Sequence, residues 1–134
     1  MDNDAVYLGG TSDSWWKEEF KSQISTDIKI IDPIIVDYDK ISTMQKVENI
    51  AQKLSHIMSS CEIAVFYLDQ NYSHSTLLEI GECVGRNKQT IVCMTVDDFE
   101  IKSYCEFHGI VTVNSLSDLI VATEEMVAQF NICV

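Results

Sequence analysis

The sequence predicts a doubly wound α/β domain of the Rossmann or flavodoxin-like kind: a five-stranded parallel sheet in a three-layer α/β/α sandwich. Three observations carry that expectation. Short apolar runs alternate with helical patterns five times along the chain. One run, "EIAVFYL" at 62–68, is nearly all apolar, as a central strand buried on both faces must be. The chain has 134 residues, 46% of them hydrophobic, which is enough for one domain with its own core. No linker, repeat or low-complexity segment interrupts it, so residues 1–134 read as a single domain.

The elements follow in order. "AVYL" (5–8) is a strand that ends at Gly9-Gly10. Residues 13–24, "DSWWKEEFKSQI", form a helix with Trp16, Phe20 and Ile24 on one face. "IKIID" (28–32) is a strand closed by Pro33, and the loop after it carries Asp37 and Asp39. Ser42 and Gln45 stand at capping-box spacing and open a helix over about 43–58. After the central strand comes a helix at 76–86, then a strand, "QTIVCM" (89–94), and a short helix at 99–107. "GIVTV" (109–113) is the fifth strand and 116–130 the last helix. Right-handed crossovers put the helices on both faces of such a sheet.

Composition excludes several function classes. The formal charge is −12, which repels phosphate backbones and argues against polymeric nucleic acid or an anionic membrane as partner. No apolar run reaches membrane-spanning length, and "MDNDAVYL" lacks the basic and long apolar parts of a signal peptide, so a cytoplasmic location is expected. The five cysteines form no CxxC pair and sit largely in apolar runs, which reads as buried free thiols. The three histidines have no metal-ligand spacing, and neither a metal nor a cofactor is expected.

Ligands of doubly wound sheets bind outside the carboxyl ends of the strands. Here those ends are Gly9–Ser14, Asp32–Asp39, Asp69–Thr76 and Thr95–Ser103, all rich in small polar or acidic residues. "LGGTSDS" is either a tight turn or a place where backbone N–H groups approach a ligand. Asp37 and Asp39 either face water or hydrogen-bond a sugar or base. Asp69 stands where receiver domains are phosphorylated, but Gly9-Gly10 and Asn114-Ser115 replace the acidic pair and the lysine that such a site requires. Glu79 has two readings. With Thr76 three residues before it, it fits a capping box in the first turn of its helix. It is also a carboxylate at the edge of the sheet, able to attack a sugar carbon.

The stretches "VYLGGTSDSWW", "IIDPIIVDYD" and "CEIAVFYLD…SHSTLLEIGECVGRNKQTIV" resemble the nucleoside 2-deoxyribosyltransferase superfamily, and in particular its short transferase-like and 5′-monophosphate N-glycosidase branch. The resemblance covers about 5–107, and the "STLLEIGE…GR.K" block is its specific part. It implies cleavage of the N-glycosidic bond of a nucleoside or its 5′-monophosphate, by hydrolysis or deoxyribosyl transfer. It makes Glu79 the nucleophile and Tyr7 the residue that holds it. Gly9, Gly10, Thr11, Asp37 and Asp39 match positions lining the base and sugar pocket, with Ser73 and Ser75 at the 5′ end. A serine in the first of these two places goes with a phosphate. The resemblance further implies a homodimer that lends Ser103 across its interface. The family's acid on the helix before the third strand has no match: the stretch reads Gln52, Lys53, Leu54 and His56. A non-catalytic nucleotide-binding or sensing domain is therefore the alternative.

Overall fold

The computed structural model describes residues 5–10, 15–32, 52, 55 and 59–132. Thr11, the loop bearing Asp37 and Asp39, and most of the helix expected at 43–58 lie outside them. Five strands run through the described residues: β1 Val6–Leu8, β2 Ile30–Ile31, β3 Ile63–Leu68, β4 Gln89–Met94 and β5 Val111–Val113. Four helices are complete within the described residues: α1 Trp15–Gln23, α2 His74–Gly85, α3 Phe99–Phe107 and α4 Leu116–Ile132, and residues 52, 55 and 59 are also helical. All strand pairs are parallel and the order is β2-β1-β3-β4-β5, the flavodoxin-like order. The fold class read from the sequence is the one observed.

Residue alternation along the strands divides the core into two layers. Tyr7, Ala64, Phe66, Leu68, Val92 and Met94 pack with Ile80 and Cys83 of α2 and Cys105 of α3. Their neighbours Val6, Leu8, Ile63, Val65, Ile91 and Cys93 pack with Trp16 and Phe20 of α1 and Leu119 and Val127 of α4. Helices thus cover both faces, and β3 is buried along nearly its whole length. The described cysteines, at 61, 83, 93 and 105, are buried free thiols. Burial pushes the Cys83 thiol up to about 12 and the Cys93 thiol to about 11, so neither supplies a thiolate at neutral pH.

One element starts differently from its sequence reading. The helix expected at 76–86 begins at His74, because Ser73 and not Thr76 is its N-cap. Ser73 has extended backbone (φ −96°, ψ 157°), and its hydroxyl oxygen accepts the Thr76 N–H at 3.3 Å. Starting two residues earlier carries Glu79 out of the first turn and into the second. Its capping-box role is thereby ruled out.

Strand order reverses between β1 and β3: from β2 the chain returns past β1 to form β3 on its other side. A βαβ unit leads one way from β1 and the rest of the sheet the other, and the carboxyl ends of these two strands are where doubly wound sheets take their ligands. Gly9 closes β1 there, with its N–H donating to Val65 O at 2.9 Å. It lies so near the ring of Phe66 that an added Cβ would stand 2.0 Å from Cε1. Gly9→Ala should therefore destabilise the domain by about 1–3 kcal/mol through overpacking, read as a lower denaturant midpoint. Phe66→Leu placed in that background should recover part of the loss, so that the two changes together cost less than their sum.

Candidate active site at the β1–β3 switch point

Glu79 lies in the second turn of α2, and only 7% of its surface is exposed. Its side chain reaches back across the carboxyl end of β1. Oε1 accepts the hydroxyl of Tyr7, and Oε2 accepts the backbone N–H of Gly10 at 3.1 Å. Tyr7 is buried in the middle of β1, where its register partner is Ala64. That small neighbour on β3 leaves room for the ring, which meets Phe66 edge-on. Gly10 has φ +96°, a conformation that suits glycine, and this turn directs its N–H to the carboxylate.

Burial holds the Glu79 carboxyl above the usual carboxylate range. The Tyr7 hydroxyl, the Gly10 N–H and the charge of Lys17 pull in the opposite direction without cancelling it. Burial, and then the charge of Glu79, push the Tyr7 phenol far above its ordinary value. Tyr7 thus keeps its proton at any working pH and acts as a hydrogen-bond donor. The pair is a fixed carboxylate with a neutral donor on one oxygen and a backbone donor on the other. Each oxygen retains a lone pair for chemistry.

The other expected site residues are placed as follows. Ser73 caps α2, and its Oγ lies 2.8 Å from Ser75 Oγ and 3.0 Å from Thr76 Oγ1. Thr76 is buried, and its Oγ1 would stand 3.6 Å from a Cβ on Gly10, so the first turn of α2 abuts the glycine turn. Tyr7, Gly10, Glu79 and the Ser73–Thr76 turn thus come together. Gly9 touches Phe66 and supports the site from below. Ser103 is on an exposed side of α3. Thr11, Asp37 and Asp39 lie outside the described residues. So do Lys53, Leu54 and His56 from the stretch matching the family's acid, in which Gln52 is exposed.

Sequence reasoning missed Lys17 and named Asp32 only as the start of the segment after the second strand. Lys17, on α1, is 1% exposed, and its Nζ is 2.9 Å from Asp32 Oδ1 and 3.5 Å from Gly10 O. Asp32 follows β2 and also pairs with Lys21 Nζ at 2.6 Å. The available signal was the spacing of Lys17 beside Trp16 and Phe20 on the inner face of α1. A cavity of about 380 Å³ lined by Lys88, Gln89, Thr90 and His108 lies at the opposite ends of the strands, away from Glu79. Among the described residues no group of His, Cys, Asp and Glu side chains is arranged to hold a metal ion, and no helix is long and apolar enough to cross a membrane.

Comparison with known proteins adds two findings. Residues 3–97 match the family model described as nucleoside 2-deoxyribosyltransferase like. No curated protein matches the sequence. Among solved structures, the Legionella pneumophila response regulator LqsR is similar, with TM-score 0.52 and 14% identity over 91% of this chain. The chain spans 41% of the length of that protein, and at this identity the likeness is one of fold.

The raised Glu79 pKa has a consequence for stability. The folded state holds this proton more tightly than the unfolded chain does. The stabilising contribution is therefore full below the ordinary carboxylate range and lost as pH rises through the raised value. Glu79→Gln lacks that dependence. At neutral pH the Gln variant should melt at or above the parent's temperature, and the parent should gain on it as pH is lowered toward about 4. A Gln variant that melts well below the parent at neutral pH would contradict the assignment of burial as the dominant effect.

Proposed function

Since the chain belongs to the nucleoside 2-deoxyribosyltransferase-like family, we propose that it breaks the N-glycosidic bond of a nucleoside or nucleoside 5′-monophosphate with Glu79 as nucleophile. The observation that carries this reading is the buried Glu79 carboxylate held by Tyr7 and Gly10 at the topological switch point. A carboxylate oxygen attacks the anomeric carbon as the bond to the base breaks. The base leaves with the electron pair and takes up a proton from solvent, which the water that later hydrolyses the ester returns. The sugar is left as an ester of Glu79, which water or a second base then releases. Tyr7 fixes the carboxylate before attack and donates its hydrogen bond to the carboxylate again when the ester is cleaved. Burial favours the reaction, because the developing positive charge on the sugar meets the carboxylate in a medium poorer than water at screening it.

The 5′ end of the sugar is assigned to the Ser73–Thr76 turn, and a phosphate there would meet hydroxyls and the N-terminal N–H groups of α2. A homodimer is part of the same reading, with Ser103 of each copy turned to the other's site, and so is a soluble cytoplasmic setting.

The decisive experiment is a panel of deoxynucleosides, ribonucleosides and their monophosphates, with free base measured by chromatography. Glu79→Gln should bind the preferred compound as the parent does and lose base release by several orders of magnitude, since the amide cannot attack. Turnover by the Gln variant within a few-fold of the parent would reject the nucleophile. Thermal stabilisation by a nucleotide with no base release from the parent would favour the non-catalytic reading.

Ser73→Asp tests the phosphate end separately. Aspartate caps a helix as well as serine does, so the fold should persist. The added charge should weaken monophosphate binding relative to the unphosphorylated nucleoside in a competition assay. An unchanged preference would remove the phosphate from Ser73.

A further inference from the structure

The Glu79 site has a second layer in α1 and β2. We propose that Lys17, clamped by Asp32, is a positioning residue that fixes the Gly10 turn and through it the orientation of the Glu79 carboxylate. The inference rests on the reading of Glu79 as the working group of the site.

Three observations carry it. First, a lysine 1% exposed is rare without a partner, and this one has Asp32 Oδ1 at 2.9 Å. Asp32 is itself held from its other oxygen by Lys21 at 2.6 Å. The ammonium of Lys17 is therefore pinned rather than free to follow solvent. Second, Lys17 Nζ stands 3.5 Å from Gly10 O, a long charge–dipole contact, while the N–H of the same residue donates to Glu79 Oε2 at 3.1 Å. One residue in a left-handed conformation thus faces the cation with its carbonyl and the carboxylate with its amide. Third, the charge of Lys17 acts on Glu79 and lowers its pKa against the effect of burial. Glu79 is also acted on by Tyr7 from β1, by the Gly10 amide and by Glu82 of its own helix, which acts in the opposite sense, and its charge is felt by the Cys83 thiol on that helix.

Lys17 thereby counters the cost of placing a carboxylate in the core without touching it. A direct ion pair would occupy the lone pairs that the carboxylate needs for attack. A cation set behind the Gly10 turn leaves them open and still biases the group toward its ionised form. Asp32 and Lys21 keep that cation from collapsing onto Glu79.

The test is the titration of the Glu79 side-chain carboxyl, followed by carbon-13 NMR together with the amide signal of Gly10. Lys17→Met keeps the aliphatic stem and removes the charge. In it the Glu79 midpoint should rise, and the Gly10 amide signal should move. Lys17→Arg should return both toward the parent. An unshifted Glu79 midpoint with an unmoved Gly10 amide in folded Lys17→Met would overturn the proposal. Where that variant fails to fold because Asp32 has lost a partner, Lys17→Met with Asp32→Asn is read against Asp32→Asn alone, so that the removed aspartate charge is common to both, with the same two outcomes. Neither signal depends on turnover. A failure of Lys17 to position Glu79 is thus distinguishable from a failure of Glu79 to act as nucleophile.

Discussion

A carboxylate buried between β1 and α2 constrains most of this domain. Glu79 cannot sit there without donors, and the strands supply them in a fixed geometry. Tyr7 must occupy the inward-facing position of β1 on the α2 side, which fixes the register of β1 against β3. Gly10 must leave β1 with positive φ to aim its N–H. The α2 helix must begin at Ser73, because a start at Thr76 would put Glu79 in the first turn, where its side chain would bend back to its own N-terminus. The small Ala64 opposite Tyr7 and the absent side chain at Gly9 follow from the same crowding.

Strand existence was legible because the central strands are long apolar runs bounded by turn residues. β3 and β4 match their expected extents to within a residue. Ends were less legible at the edges, where β2 has two residues and β5 three, the latter largely exposed. Short edge strands carry a weak pattern, since little of their surface is buried. The start of α2 was ambiguous for a definite reason. Ser73, Ser75 and Thr76 can all cap a helix, and local sequence does not rank them. The tertiary reach of Glu79 to Tyr7 is what distinguishes the starts.

The site was legible in part. Glu79, Tyr7 and Gly10 were singled out together and do stand together. Gly9 was grouped with them as a pocket-lining residue, yet its closest neighbour is the Phe66 ring. A glycine chosen for packing and one chosen for ligand approach look alike in a sequence. Lys17 went unnoticed because a lysine between Trp16 and Glu18 reads as part of a solvated helix face. Its burial depends on Asp32, fifteen positions away and brought near only by the pairing of β1 with β2.

The same arrangement reconciles a formal charge of −12 with the anionic ligand of the proposed function. Surface carboxylates repel such a ligand at a distance, but at physiological salt their influence is screened within roughly 8 Å. Affinity is then decided by what lies at the site. There the N-terminal turn of α2 presents its backbone N–H groups beside the Ser73 cap. Behind Gly10, Lys17 and Lys21 share Asp32, and Lys21 also meets Glu18 at 3.6 Å, so the formal charges of this group balance. Only Lys17 of the two is enclosed, so water screens its field least on the side facing the site. The near charge of Lys17 acts on Glu79 against the effect of burial, and under the proposed function the wall formed by the Ser73–Thr76 turn is the one that meets the ligand.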